Sequence, residues 1–214
     1  MPKRLRYQVA CSLDGFIADP KGGYDWLVMD EAIDFDALYR EFDTVVMGRK
    51  TFTVMTKQGG TGAMPGVEVV VFSRTLPAAV RDGVRITRDA PRKVITALKK
   101  KPGRDIWLFG GGELFHSMLK AGLVDTVEVA VMPVLLGDGI PLLPPGASTK
   151  LELVDQKTLP SGIVVLAYSV PGGTAAPPIS FVKAARTTRV RKPAKTREQR
   201  GAGTPKANGR KRSR

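Results

Sequence analysis

Along the first 170 positions, short apolar runs bounded by turn residues alternate with segments whose apolar side chains recur at helical spacing. RYQVACS (6–12) reads as a strand and precedes a long loop containing Asp14-Gly15 and Pro20-Lys21-Gly22-Gly23. In IDFDALYREF (33–42), Ile33, Ala37, Leu38 and Phe42 share one helical face. TVVMG (44–48) and VEVVVFS (67–73) are apolar strands, and VRIT (84–87) is a brief one. PRKVITALKK (91–100) is an amphipathic helix. Pro91 suits its first turn, and Lys99–Lys101 lie where cations complement the helix dipole. DIWLF (105–109) is a buried strand, and a helix over 112–120 ends near Gly122. VDTVEVAVM (124–132) is a longer strand. LELVDQKT (151–158) and GIVVLAYSV (162–170) flank Leu159-Pro160-Ser161 at hairpin spacing.

This pattern gives about eight strands and four helices. Strands linked through helices imply a parallel core, and the closing hairpin implies an antiparallel edge. The expected fold is one α/β domain over residues 1–171 with a mixed, mostly parallel sheet. After Val170 the pattern stops. PGGTAAPP has the composition of a linker, and from Lys183 onward the chain is rich in Lys and Arg with no aromatic residue. Such a segment buries too little apolar surface to offset chain entropy, so residues 172–214 are expected to form a disordered basic tail.

Charge sharpens this division. The chain of 214 residues carries a formal +14. Residues 172–214 hold 13 Lys/Arg against one acid, Glu198, a net +12, while residues 1–171 hold 21 Lys/Arg against 19 acids, a net +2. The tail is therefore a candidate for non-specific nucleic-acid contact through residues 183–214. No zinc-finger, helix-turn-helix or RNA-binding-sheet pattern accompanies it. No apolar run approaches 18 residues, so no membrane span is expected. The basic N-terminus lacks a cleavage site, which predicts no signal peptide and a cytoplasmic location. With one Cys (Cys11) and one His (His116), neither an internal disulfide nor a metal site is expected.

Ligands of open α/β sheets sit at the C-terminal ends of parallel strands. Here those ends read Ser12-Leu13-Asp14-Gly15, Gly48-Arg49-Lys50-Thr51, Ser73-Arg74-Thr75 and Gly110-Gly111-Gly112-Glu113-Leu114. Three glycines between a strand and a helix serve either a sharp turn or the close approach of an anion to backbone N–H groups at a helix start. Phe115 stands where the dinucleotide fingerprint needs a further glycine, and GRKT lacks the upstream glycine of a P-loop. Guanidinium and hydroxyl groups at two neighbouring strand ends suit a phosphate monoester.

In order and spacing, VACSLDGFIA, VVMGRKTF, VVVFSRTLP and IWLFGGGELFHSMLKAGLVDTVEVAVMPVLLGDGIPLL resemble the dihydrofolate reductase superfamily. They are closest to its branch that includes the reductase domain of the bifunctional riboflavin-biosynthesis deaminase-reductase, and the resemblance spans residues 5–170. It implies a three-layer fold with an eight-stranded sheet, NADPH as cofactor, a homodimer, and hydride transfer to a small heterocyclic or sugar-linked substrate. Carried over by position, Ala10 faces the nicotinamide, and Gly48, Arg49 and Thr51 contact the pyrophosphate and adenosine side. Ser73 and Arg74 hold the 2′-phosphoribose, and Gly110, Gly111, Gly112, Glu113 and Leu114 cradle the pyrophosphate. The deaminase half is absent from this sequence.

Dihydrofolate reductases place a carboxylate on the helix before the second strand. Glu31 is the nearest positional match, with Asp30 and Asp34 beside it. These acids equally suit a helix N-terminus as dipole partners. Glu31 is the candidate proton donor, with Asp14 as its rival. The family's loop with a tryptophan and proline beside the substrate is not matched; Asp25-Trp26-Leu27 stands there instead, and Trp26 covers the pocket or packs. The glycines of loop 13–30 suit closure over the cofactor. His116 reads as a helix-surface or packing residue and Cys11 as a buried thiol. The rival functional class is a nucleic-acid-associated protein that works through its tail, with the body as a dimerisation or cofactor-sensing module. For the dimer, the apolar run Val129–Leu136 and the closing strands are the expected contact surface.

Overall fold

The computed structural model describes residues 2–57, 60–146 and 148–183. Its first strand, β1 (Leu5–Ser12), shows how the sheet divides the interior. Leu5, Tyr7 and Cys11 enter one core, whereas Ala10 packs into the other and the Arg6 guanidinium lies 4.7 Å over the Phe42 ring there. The pleat requires this alternation. β2 (Phe16–Ala18), α1 (Phe35–Tyr39), β3 (Phe42–Gly48), α2 (Arg49–Lys57), β4 (Glu68–Phe72), β5 (Ala79–Arg81) and β6 (Val84–Thr87) follow. The second half adds α3 (Pro91–Lys99), β7 (Asp105–Gly110), α4 (Gly112–Lys120), β8 (Thr126–Met132), β9 (Ile140–Pro141), β10 (Glu152–Thr158) and β11 (Val164–Ser169).

Nine strands form one sheet in the order β10-β11-β8-β1-β7-β3-β4-β6-β5. The six from β8 to β6 are parallel. β11 and β10 close one edge antiparallel, and β5 closes the other. Val94, Ile95 and Leu98 of α3 and Phe115 and Met118 of α4 fill the core on one face. Leu38 of α1 and Phe52 and Met55 of α2 pack on the other. This is the three-layer, dihydrofolate-reductase-like arrangement. Its main sheet has nine strands rather than eight because the short, fully exposed Ala79–Arg81 pairs with β6. β2 and β9 form a separate two-stranded sheet.

Three expectations change. The helix expected over 33–42 is only Phe35–Tyr39, because Asp34 caps it by accepting from the Ala37 N–H at 2.9 Å and Phe42 already pairs with Asp105 in the sheet. Residues 172–183 do not belong to a free tail. They form a strap across the face of α1, with Ala176, Ile179 and Phe181 buried and Val182 bridged to Ile33. The Asp34 N–H donates to the Phe181 carbonyl at 2.7 Å, so the body continues at least to Lys183. The remaining tail, 184–214, lies outside the described residues. Finally, Val129 and Met132 are buried in β8, between β1 and β11, so the half of the run 129–136 that lies in the strand is sheet interior and not a free dimer surface, while Leu135 beyond it is exposed.

Candidate active site

β3 and β7 are neighbours, yet the helices that follow them leave to opposite faces: α2 packs with Phe42 and Met47, α4 with Tyr7 and Leu108. A sheet opens a crevice beyond its strand ends where this reversal occurs. The two walls of the crevice are Gly48-Arg49-Lys50-Thr51 and Gly110-Gly111-Gly112-Glu113-Leu114, which sequence analysis selected. Gly48 borders Leu114, since a Cβ added there would lie 3.9 Å from the Leu114 Cβ. Lys50 Nζ meets Glu113 Oε1 at 3.0 Å across the opening. Both helices therefore present their first turns, with unpaired N–H groups, to the same space.

The three glycines have three different jobs. Gly110 has φ +144°, a backbone conformation that side chains rarely adopt. Gly112 is a packing position: a Cβ there would sit 2.7 Å from the Pro141 carbonyl oxygen and 3.0 Å from that of Leu142. Gly111 needs neither. Its φ of −93° and ψ of −173° suit any residue, and a Cβ would meet only Thr51 Oγ1 at 3.5 Å, an ordinary contact. A bare backbone at Gly111 leaves open the space in front of the α4 N-terminus, facing the Thr51 hydroxyl.

Along the same edge, Ser73 is buried and its Oγ accepts from the Thr75 and Leu76 N–H groups at 3.2 and 2.9 Å. It shapes the turn that carries the exposed Arg74. Arg88, at the end of β6, donates to the Leu76 carbonyl at 3.3 Å and adds a second guanidinium to this turn. Sequence analysis did not select Arg88; its place just after VRIT, one strand from Arg74, was the available signal. Ala10 is half-buried and packs in the same cluster as Phe109, Ala130, Trp26 and Leu27. Trp26 is part of this wall, and its indole N–H donates to the Gly23 carbonyl at 3.3 Å.

The candidate acids differ in what they touch. The Asp14 carboxylate accepts from the N–H groups of Gly137 at 2.7 Å and Leu136 at 3.1 Å. The Ser12 hydroxyl and then these N–H groups hold its pKa below the ordinary carboxylate value. An acid so stabilised as the anion is a latch and a poor proton donor at neutral pH. Asp30 likewise accepts from Ala32 and Ser161 N–H groups at 2.8 and 2.9 Å, and the Ser161 hydroxyl leads the causes that depress it. Asp34 is the cap of α1. Glu31 lies exposed in a turn ahead of α1, not on a helix, and its carbonyl accepts from Lys183 Nζ.

The loop expected to close as one lid is partly fastened. Leu13 donates to the Val134 carbonyl at 2.8 Å, Leu142 to that of Gly15 at 2.9 Å, and β2 pairs with β9. Burial, with the Asp14 charge adding, pushes the Cys11 thiol up to about 11, which leaves it protonated and unreactive. His116 packs against Gly146, and its buried Nε2 has no hydrogen-bond partner among the described residues. No helix of the described residues is long and apolar enough to cross a membrane.

A nine-stranded mixed sheet with its crevice between β3 and β7 is the geometry against which known proteins compare. The profile of the RibD C-terminal domain family matches residues 3–165. The chain belongs to the RibD C-terminal domain family. Among its relatives, the Bacillus subtilis protein YyaP, itself uncharacterized, is 33% identical over 178 residues, covering 78% of this chain and 94% of YyaP. The riboflavin biosynthesis protein RibD of Mycobacterium tuberculosis is 28% identical over 147 residues, 62% of this chain but only 43% of that longer protein. A solved structure of a putative riboflavin biosynthesis protein from a Shewanella species superposes with a TM-score of 0.68 at 27% identity, covering 79% of this chain and 99% of that one. The RibD C-terminal domain thus carries the dihydrofolate-reductase-like architecture of the riboflavin reductase branch, as the sequence motifs indicated.

Proposed function

We propose that this protein is an NADPH-dependent reductase that transfers hydride to a small heterocyclic or sugar-linked substrate resembling 5-amino-6-(5-phosphoribosylamino)uracil. The observation that carries this reading is Gly111, which needs no glycine for its backbone and crowds nothing, yet leaves bare the space between two helix N-termini. A diphosphate there accepts from the backbone N–H groups of α4 and from the Thr51 hydroxyl. Arg74 and Arg88 supply guanidiniums for a 2′-phosphate at the neighbouring strand ends, and Ser73 holds their turn in place. The small side chain of Ala10 leaves room beside β1 for a flat ring.

When bound, NADPH supplies the hydride. The chain supplies orientation and dryness: Trp26, Leu27 and Phe109 shield the substrate side of the β1 end. With Asp14 and Asp30 held as carboxylates, this reading takes the proton from solvent water and not from a buried acid. A homodimer is part of the proposal. Its contact surface is the outer edge strand β10, where Leu153 and Val154 are exposed, with exposed Leu151 just ahead of it. The test is NADPH oxidation by the full chain with the riboflavin pyrimidine intermediate, dihydrofolate and simple aldehydes. Turnover of the pyrimidine supports the reading, and failure to bind NADPH at all overturns it.

A further inference from the structure

At the end of the sheet opposite the crevice, the starts of β1, β3 and β7 meet the strap, and a groove of about 870 Å³ opens between them. Its floor is a buried ion network. Arg6 is 2% exposed and donates through Nε and Nη2 to Glu128 at 2.8 and 2.7 Å, while its Nη1 lies 2.5 Å from Glu41. Burial opposes that charge, but Glu128 and Glu41 outweigh it and raise the Arg6 pKa. Arg4 pairs with Asp105 at 2.8 Å, and Lys3 with Asp43 at 2.5 Å. Each of these cations is matched by a carboxylate.

Arg40 and Arg104 are not. Both are exposed, both line the groove, and among the described residues neither guanidinium meets an acid. Arg104 Nη1 donates to the Arg40 carbonyl oxygen at 3.1 Å, which holds the two residues side by side. The far wall is preformed. Thr174 N–H donates to Asp125 and Ile179 N–H to Asp155, the Ser180 hydroxyl bonds Glu41, and Arg4 Nη1 donates to the Ala175 carbonyl. Pro2, Pro177 and Pro178 give this wall flat apolar surface.

We infer that this groove is a binding site for a small organic phosphate, separate from the crevice. The phosphate bridges Arg40 and Arg104, whose planar forks match its oxygens, and the organic part lies against the prolines. The volume falls within the usual range for small-molecule sites, roughly 300–1,000 Å³. The groove lining carries five cations, Lys3, Arg4, Arg6, Arg40 and Arg104, against the carboxylates of Glu41 and Asp105, and this net positive charge favours a dianion over a singly charged carboxylate.

The probe is phenyl phosphate, titrated calorimetrically into the full-length protein at fixed salt, with phenol and inorganic phosphate as separate arms. Saturable binding of phenyl phosphate, weaker binding of inorganic phosphate and none of phenol are expected. Arg40→Gln/Arg104→Gln should weaken phenyl phosphate binding at least tenfold, while Arg74→Gln at the crevice leaves it unchanged. Equal affinity in the Arg40/Arg104 double variant would mean that the basic segment beyond Lys183 holds the anion, and would overturn the site. Loss of binding in Arg74→Gln would move it to the crevice and overturn it equally, as would a parent protein that does not bind phenyl phosphate at all.

Discussion

Lys50 and Glu113 meet at 3.0 Å, one residue inside the first turns of α2 and α4, with both side chains about three-quarters exposed. An ion pair this open contributes little to stability, on the order of 0–1 kcal/mol. Its position matters more, because Glu113 sets a negative charge beside the proposed diphosphate site and occupies the Lys50 ammonium. Glu113→Gln should therefore tighten NADPH binding by roughly two- to fivefold with no measurable change in unfolding midpoint. Fluorescence titration reads the first and urea denaturation the second; weaker binding would show that Glu113 contacts the cofactor favourably.

Gly111→Ala and Gly112→Ala should behave oppositely. At Gly112 the new methyl would press on the Pro141 and Leu142 carbonyls at 2.7 and 3.0 Å, costing about 1–3 kcal/mol of stability. At Gly111 it meets only Thr51 Oγ1 at 3.5 Å, so the protein should fold normally and lose cofactor affinity at least tenfold. Thermal melts and NADPH titrations of both variants decide. Normal binding by Gly111→Ala would leave the glycines with structural work alone.

Arg74→Ala should lower NADPH affinity about tenfold and leave NADH affinity unchanged, the scale of one exposed charge-assisted phosphate contact. Arg88→Ala should give a smaller effect in the same direction, because its guanidinium is partly engaged by the Leu76 carbonyl. Competitive binding of the two nucleotides measures both. A parent protein without preference for NADPH would remove the phosphate role from this turn.

Asp14 ties the end of β1 to residues 136–137, and its folded pKa is depressed chiefly by the Ser12 hydroxyl and the Gly137 N–H. A depressed carboxylate stabilises the fold above its unfolded pKa, about 3.9, and loses that contribution as pH falls through the folded value. Asp14→Asn should therefore be less stable than the parent at pH 7, with the gap constant down to about pH 5 and closing below pH 4. Urea midpoints across that range test this. A gap that widens on acidification would contradict the latch.

Ending the chain after Pro171 should destabilise it strongly, whereas ending it after Lys183 should not. The shorter chain loses Ile179 and Phe181 from the core beside α1, worth about 1.5–3 kcal/mol each, a large part of a typical domain's 5–15 kcal/mol. Thermal unfolding of the two truncations gives the answer, and equal melting temperatures would show that the strap is idle.

Much of this was legible in the residue pattern. The apolar runs marked each parallel strand, and the strand-end motifs marked both walls of the crevice. The strap was not legible, because AAPPISFV has the proline content of a linker and its anchors Ile179 and Phe181 are only two residues. Nor was the shortening of α1: Ile33 and Phe42 fit the helical face, but each is claimed by a strand partner that periodicity cannot see. The ion network was not legible either, since Arg6 meets its partner Glu128 only when a strand more than a hundred positions away is brought alongside. The role of Asp14 was obscured because a carboxylate's acidity depends on which N–H groups reach it.

The place of β1 at the middle of the sheet has a consequence for biosynthesis. Leu5 pairs with Ile106 and Ala10 with Ala130, so β1 leaves the ribosome ahead of its sheet neighbours and waits for strands translated roughly 100 to 120 residues later. At about 5–20 residues per second, that is roughly 5–25 s during which its hydrogen-bonding edges have no native partner. Only the β3–β4–β6 wing can assemble meanwhile, from residues 42–87. The nascent chain must carry β1 as a guest strand until β7 inserts between it and that wing, which makes this short apolar stretch the segment most in need of a chaperone's grip.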